Sequence, residues 1–454
     1  SYSVTGVQTC ALPIYDVVKN TFPGSKWNYI EPYVQADVPM FNSECGNVWG
    51  YNGGTGDVDI SYEYHIMMNE YRRRPKICGF LFTEFHDVIN EWNGYYRFDR
   101  KEKEWGLSDL CPGMTLRDFH RDLYLIPGAD FRLTVKPGAK FAVPVTASLL
   151  GDIPAGDMTV LTLFHGWNRF GEHKTYASGK FAFPAKPYAT MPLPPVALEA
   201  PAEECLAMVC TYLVGAKGDT LSANFTPVRV LKGDSPRRET VAGVGEVLRC
   251  APGAYAASEW SVKKKDILGG LKTWGTGKGF IEYAFPWPEG LDPAKADSVV
   301  FIAELGSRRV QGKDMADSYV RQDIAQVGAK GVDPGHNPNS YPMTDTTRHP
   351  SDVAITLNGA GAATVRLDND AADHRGILSW LMQKEDGNLS EAGSYGQLVR
   401  VAFGPDAVKA AATAKKLVVR LEVKAADDRS GGISVYGEKS GRYPVDPTVV
   451  VKGK

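Results

Sequence analysis

The chain has 454 residues, 43% hydrophobic and 23% charged, the balance of a globular protein with more than one domain. Lys and Arg number 51 against 53 Asp and Glu, so the formal charge is −2 and neither a nucleic-acid nor an anionic-membrane footprint is present. No apolar run approaches the roughly 20 residues of a membrane span. Cysteines, 7 in a chain of this length, make no disulfide framework and do not fix a compartment.

Residues 1–14 stand apart. Val4 to Ile14 read VTGVQTCALPI, which looks like one translated frame of a short-read sequencing adapter. As a signal peptide the stretch lacks a basic start, and its apolar part is short and broken. The expectation is an artefact over 1–14, an unknown native N-terminus and no weight on Cys10. Compartment stays open, with periplasmic or secreted placed ahead of cytoplasmic.

Residues 15–126 read as α/β. Val38 to Glu44 (VPMFNSE) is an apolar run ending in polar groups. A helix follows, with Ile60, Tyr64, Met67, Met68 and Tyr71 on one face, Asp57 or Asp59 as its cap and Pro75 as its stop. Ile77 to Phe85 (ICGFLFTEF) predicts a second buried strand. An aromatic and charged loop runs to Trp105. Thr115 to Ile126 then predicts a second helix with Leu116, Phe119, Leu123 and Ile126 inward. This β-α-β-α order is the grammar of a parallel sheet with crossover helices.

At Pro127 the grammar changes. Phe131 to Val135, Lys140 to Ala147, Met158 to Phe164 and Cys205 to Val214 are short apolar stretches between turns, an all-β sandwich over 127–231. Lys232 to Glu239 (KGDSPRRE) reads as a linker. Strand candidates in 232–454 are Phe280 to Phe285, Val299 to Leu305, Val353 to Leu357, Ala363 to Leu367, Leu398 to Phe403, Leu417 to Val423 and Ile433 to Tyr436. They predict a jelly roll of two sheets with about four strands each. Gly306 to Pro350 is a long polar stretch without periodicity, the kind of loop that is functional or mobile.

Breaking a glycosidic bond takes two carboxyl groups flanking it, roughly 5 Å apart where the product retains its configuration. In a (β/α)8 barrel such groups stand at the C-terminal ends of strands. Glu44 closes an apolar strand there, and Glu84 stands at the matching place on the next. Strand-end carboxylates also arise from structural ion pairs. The surroundings favour chemistry: Trp49, Tyr51, Trp92, Tyr95, Tyr96 and Trp105 crowd the following loops, and flat sugar faces stack on such rings. About half of these rings are expected to be loop core instead.

The stretches PMFNSECGNVWGY and YEYHIMMNEYRRRPKICGFLFTEFHDVINEWNGYYRFDRKEKEWG, from Pro39 to Gly106, resemble the seventh and eighth barrel strands of glycoside hydrolase family 2. The resemblance implies that 15–126 is the C-terminal part of a TIM barrel, that Glu44 in NSECG is the nucleophile, and that the acid/base Glu of an Asn-Glu strand end belongs to strands this chain lacks. Asn69–Glu70 matches that pair only superficially, since it falls mid-helix. Glu84 departs from the more familiar members and resembles a subgroup with a TEF or TEL strand; a sugar-contact or nucleophile-orienting role and a structural ion pair weigh equally for it. Asn42, Trp49, His86, Asp87, Trp92 and Asn93 are the further candidate substrate contacts. Residues 127–231 resemble the family's immunoglobulin-like domain, and 232–454 a galactose-binding-like jelly roll.

Other signals are weaker. Trp260, Trp274, Trp287 and Trp380 are candidate sugar platforms, with core packing the better reading. The eight histidines show no HExxH or paired spacing, so no metal or other cofactor is indicated. Cys205 and Cys210 read as strand core, Gly275, Gly277 and Gly279 as turn glycines, and Lys263 to Lys265 as a solvated run. The expected activity is hydrolysis of a terminal β-linked sugar from an oligo- or polysaccharide through a covalent glycosyl–enzyme intermediate. The chain alone is expected to be inactive and association-prone, with a homo-oligomer possible for the intact protein. The alternative is a non-catalytic carbohydrate-binding array of β domains, which predicts sugar binding by 233–454 and no hydrolysis by any longer form.

Overall fold

The computed structural model describes residues 32–33, 39–45, 61–74, 76–82, 85–86, 94–97, 99–103, 106–128, 133–153, 157–308, 350–367, 377–378, 395–424 and 431–453. Strands dominate them, arranged in several sheets. β1 (Met40–Cys45) and β2 (Ile77–Phe82) form a two-stranded parallel sheet, and α1 (Ser61–Arg73) connects them. This is the crossover unit that the apolar spacing predicts. Tyr64, Met67 and Met68 are buried as expected, but so are Tyr62, His65, Ile66, Asn69 and Glu70. The helix is enclosed on more than one face. A single turn, α2 (Leu107–Leu110), follows.

The second predicted helix is absent. Leu116–His120 is a 3-10 turn that Asp118 caps by accepting from Thr115 N at 2.8 Å, and β3 (Leu123–Pro127) follows directly. Tertiary pairing overrides the helical spacing here, because β3 lies beside β5 (Lys140–Leu149) and is buried on both faces. Leu123 and Leu125 enter the sandwich core, while Tyr124 and Ile126 face the cluster around α1. A short strand buried on both sides has no alternation to betray it.

The sandwich continues with β4 (Leu133–Val135), β6 (Met158–Asn168), β7 (His173–Phe183), β8 (Ala189–Glu199), β9 (Cys205–Val214) and β10 (Thr220–Val230). A three-stranded sheet, β3-β5-β8, faces a five-stranded one, β4-β10-β9-β6-β7. Val143, Val145, Val160, Phe164, Val209 and Val228 fill the space between them. β7 and β8, which the sequence reading missed, are edge strands; Pro192, Pro194 and Pro195 in β8 are tolerable because an edge needs only one row of ladder bonds.

A second sandwich takes the rest of the chain. Its strands are β11 (Arg238–Val241), β12 (Gly245–Arg249), β13 (Ala257–Trp260), β14 (Lys263–Ile267), β15 (Lys272–Thr276), β16 (Gly279–Pro286), β17 (Ala296–Ser307), β18 (Ser351–Leu357), β19 (Ala360–Leu367), β20 (Gln397–Phe403), β21 (Lys416–Val423), β22 (Gly432–Tyr436) and β23 (Thr448–Gly453), with α3 (Pro405–Ala414) before β21. The sheets have eight and five strands, more than the expected four each, since β11 to β15 and β23 escaped the sequence reading. Lys263 to Lys265 lie on β14, an edge of the larger sheet, where charge discourages edge-to-edge pairing. Gly277 turns the β15–β16 hairpin with φ 83°, whereas Gly275 and Gly279 leave room for the Trp260 ring; a Cβ on Gly275 would meet it at 2.0 Å. Most of Gly306 to Pro350 lies outside the described residues.

The predicted linker is pinned rather than loose. Asp234 pairs with Lys439 at 2.6 Å, Ser235 bonds to Glu438, and Arg237 pairs with Asp446 at 3.1 Å. Nearby, residues 441–443 strap the parts together. Fully buried Glu304 on β17 accepts from Gly396 N at 2.7 Å, Arg442 N at 3.0 Å and Tyr443 N at 2.8 Å. Arg442 reaches Asp109 in α2 at 2.8 Å, and the Tyr443 ring meets Trp167 of β6 edge-on at 5.7 Å.

Burial pushes the Glu304 carboxyl up to about 7, against the pull of the three N–H groups and the Arg442 charge. The native chain therefore holds this proton longer than the unfolded chain does. The stability it contributes is complete below about pH 4.5 and is lost as pH rises through about 7, roughly 3 kcal/mol for a rise from 4.5 to about 7. Calorimetry of the second sandwich is expected to show a transition that falls from about pH 5 to about pH 8, with Glu304→Gln flattening the slope. An unchanged slope in the variant removes Glu304 as its source.

Candidate active site

The β1–α1–β2 unit is positioned by polar contacts inside an apolar interface. α1 lies on the outer face of the five-stranded sheet, where Tyr62, Tyr64, Ile66 and Met68 cluster with Leu206, Met208 and Phe225. Within it, Asn69 Oδ1 accepts from Tyr124 Oη at 2.9 Å and from Asn224 Nδ2 at 2.6 Å. Asn224 Nδ2 also donates to Leu125 O at 2.7 Å, and its Oδ1 accepts from Phe225 N at 2.8 Å. The His65 ring stacks on Phe225 at 4.1 Å, and burial pushes its pKa down to about 3, so it is neutral. Glu70 pairs with Arg73 at 3.5 Å and Arg74 at 3.3 Å. Asn69 and Glu70 thus serve the helix and its docking.

The sheet follows from this placement. Phe80 and Phe82 pack on the α1 cluster, and the Tyr71 ring stacks on Phe80 at 5.6 Å. The opposite face carries Phe41 and Leu81, which are 49% and 57% exposed. The Phe41 ring covers Gly79, where a Cβ would meet it at 3.0 Å. The strands are parallel, so their C-terminal ends lie at one edge, with Cys45 opposite Phe82. The ladder is not regular there. Asn42 stands opposite Phe80 and Cys45 opposite Phe82, so Ser43 and Glu44 share the rank of Leu81. This is a β-bulge, one extra residue that changes which face the following positions occupy.

Glu44 occupies the fifth of the six positions of β1. Asn42 is half-buried, and its Nδ2 donates to Tyr71 Oη at 2.5 Å, on the α1 side of the sheet. Tyr71 is the partner that sequence reasoning missed, because its place on the helix's apolar face marked it as core. His86 is half-buried, just past β2, where its backbone bridges to Tyr96. Tyr95 is core, as half of the loop aromatics were expected to be. Its ring stacks on Phe82 at 4.1 Å, and its hydroxyl bonds that of Tyr64. Trp49, Glu84, Asp87, Trp92 and Asn93 lie outside the described residues, as do Tyr51 and Trp105. Among the described residues no group of three or more His, Cys, Asp or Glu is arranged to hold a metal ion. No helix among them is long and apolar enough to cross a membrane.

Three tryptophans of the second sandwich make internal contacts. Trp274 is fully buried, with the Arg308 guanidinium 4.1 Å from its ring centroid. Trp260 Nε1 donates to Ser258 Oγ at 3.0 Å, and Trp287 Nε1 to Leu291 O at 3.1 Å. Trp380 lies outside the described residues.

No family model matches this sequence, and no curated protein does. Among solved structures, Bacteroides uniformis β-glucuronidase 2 aligns with 88% of this chain and 41% of its own, at 13% identity and a TM-score of 0.23. A Bacteroides fragilis protein described as a β-galactosidase aligns with 28% of this chain and 17% of its own, at 20% identity and a TM-score of 0.17. A family GH115 4-O-methyl-α-glucuronidase aligns with 50% and 20%, at 11% identity and a TM-score of 0.17. All three carry glycosidase names, and scores this low do not establish a common fold. The chain spans about two-fifths of the length of the first.

Replacing Asn69 with Leu keeps the branched shape but removes the acceptor of the Tyr124 hydroxyl and of one Asn224 N–H. A loss of roughly 2–4 kcal/mol in denaturant unfolding is expected. In Tyr124→Phe the same replacement should cost less; equal costs in both backgrounds would show that the pair is not coupled.

Proposed function

We propose that this chain is the C-terminal part of a retaining β-glycosidase, that β1, α1 and β2 belong to the end of a (β/α)8 barrel, and that Glu44 is the nucleophile. One observation carries the reading: the bulge at Ser43 and Glu44, at the tip of a strand in a parallel β-α-β unit. An unbroken strand would put position 44 on the α1 face with Asn42. The extra residue gives position 44 the ladder rank of Leu81, and that rank would line the interior of a closed barrel. The stretch PMFNSECG and its counterpart ICGFLFTEF supply the family likeness at those same strand ends.

In this mechanism the Glu44 carboxylate attacks the anomeric carbon while a second carboxyl group protonates the leaving oxygen. That second group then activates the water that releases the sugar. Its glutamate belongs to strands outside this chain, as do most contacts that select the sugar. Glu84, His86, Asp87, Trp92 and Asn93 follow β2 and are the nearest candidates for holding substrate; Trp49 plays that part after β1. Asn42 has its amide committed to Tyr71.

In a longer protein that supplies the remaining strands, Glu44→Gln is expected to lower kcat by about 1,000-fold or more while KM changes little. A fluorinated glycoside that traps the covalent intermediate is expected to label the peptide containing Glu44. Near-normal turnover in the variant, or a label on another residue, would falsify the assignment.

Phe41 and Leu81 would be interior in a closed barrel and are open in this chain. The purified chain is therefore expected to self-associate, and Phe41→Ser with Leu81→Lys to return it towards monomer in sedimentation. Association that ignores both replacements places the sticky surface elsewhere.

A further inference from the structure

The outer face of the five-stranded sheet carries a pair of thiols that the proposed chemistry does not use. Cys210 lies on β9 and Cys111 directly after α2, and both are fully buried. The segment holding Cys111 is tied to the sheet at three successive residues. Leu110 O accepts from Cys210 Sγ at 3.4 Å and lies 3.1 Å from His165 Nε2. Cys111 Sγ donates to Asn224 O at 3.6 Å. Pro112 O accepts from Tyr212 Oη at 3.1 Å. Asn224 directly precedes Phe225, the residue opposite Cys210 in the β9–β10 ladder. These anchors set Cys111 and Cys210 side by side on the outer face of the sheet, since the carbonyl that accepts from the Cys210 thiol belongs to the residue before Cys111.

Three uses of such a cluster can be weighed. His165 Nε2 lies 3.4 Å from Cys210 Sγ, and His173 Nε2 lies 2.8 Å from His165 Nδ1, the order of a thiol, a base and a group that orients the base. Yet burial pushes the Cys210 thiol well up, so it keeps its proton, and Cys210 is sealed from any dissolved substrate. A metal is no better served, since no group of three ligands is arranged to hold one among the described residues. The reactive group that remains beside Cys210 is the thiol of Cys111.

We propose that Cys111 and Cys210 form a disulfide in an oxidising medium, a covalent tie between the α/β unit and the first sandwich. The oxidant is a small disulfide such as oxidised glutathione. One cysteine thiolate attacks it and expels a glutathione thiolate; the other attacks the mixed disulfide and expels the second. Two protein thiols give up two protons and two electrons, one protein S–S bond forms, and the oxidant's S–S bond is reduced to two thiols. Both sulfurs are sealed in the folded chain, so exchange takes place before the α/β unit seats on the sheet or when it lifts. The bond closes a long loop, from 111 to 210, which restricts the unfolded chain strongly.

The test uses the whole chain, refolded with oxidised and reduced glutathione, alkylated and digested without reduction. Mass spectrometry is expected to find the Cys111 and Cys210 peptides joined. The oxidised protein is expected to melt roughly 5 °C above the protein kept in dithiothreitol. Cys111→Ser and Cys210→Ser should each abolish both effects. Should either variant misfold, the wild-type peptide map decides alone. Both peptides found free after oxidation, or Cys210 joined to Cys205 or Cys250, overturns the proposal.

Discussion

The seat of α1 on β9 and β10 is the constraint on which the rest depends. The helix is enclosed by apolar side chains, and that burial supplies most of the driving force. Apolar burial sets no register, however. A helix can slide or roll on a flat apolar sheet at small cost. Asn69 removes that freedom, because its oxygen must meet Tyr124 from β3 and Asn224 from β10 at once. Neutral His65, stacked on Phe225, fixes the roll from one turn earlier. β1 and β2 ride on the far side of α1, so the strand tips that would carry chemistry are located by a network that belongs to the sandwich.

The second sandwich is held by a different logic. It meets the first sandwich through polar contacts at residues 437–446 and through Phe170, which packs against the cluster of Val247, Ile302 and Val450. Glu438 and Lys439 hold the segment before β11, Arg442 reaches Asp109, and Tyr443 meets Trp167. Glu304 organises this strap from inside the fold. Its carboxylate faces three backbone N–H groups, and Gly441 has no side chain to keep it away; a Cβ there would meet Glu304 at 2.3 Å. Burial raises Asp446 as well, to about 6. Burial thus raises one carboxyl group inside the fold against the strap and another within it, so the joint between the parts is sensitive to pH.

The legible parts of the fold share one property: the sequence pattern there reflects one exposed face and one buried face, or a long unbroken apolar run. Cys205 to Val214 is found with its limits unchanged, and β16 to β22 are found within a few residues. Failures have physical causes. β3 has both faces buried, so Leu116, Phe119, Leu123 and Ile126 mimicked a helix stripe across a 3-10 turn and a strand. β8 is rich in proline, which argues against a strand everywhere except at an edge. Lys232 to Glu239 looks like a free linker because its partners, Glu438, Lys439 and Asp446, lie some two hundred positions further along the chain.

Sequence by itself determined that this is a β-rich, multi-part chain with a β-α-β unit in its first quarter, and that position 44 falls near the end of β1. Those features are local: periodicity, turn residues and a motif of adjacent positions. Tertiary structure alone decided the bulge at positions 43 and 44, the docking of α1 through Asn69 and the placing of Cys111 beside Cys210. Each of these depends on which distant strand lies alongside. That choice is made by packing and by matching buried polar groups, and a pattern read along one stretch of chain holds no record of it.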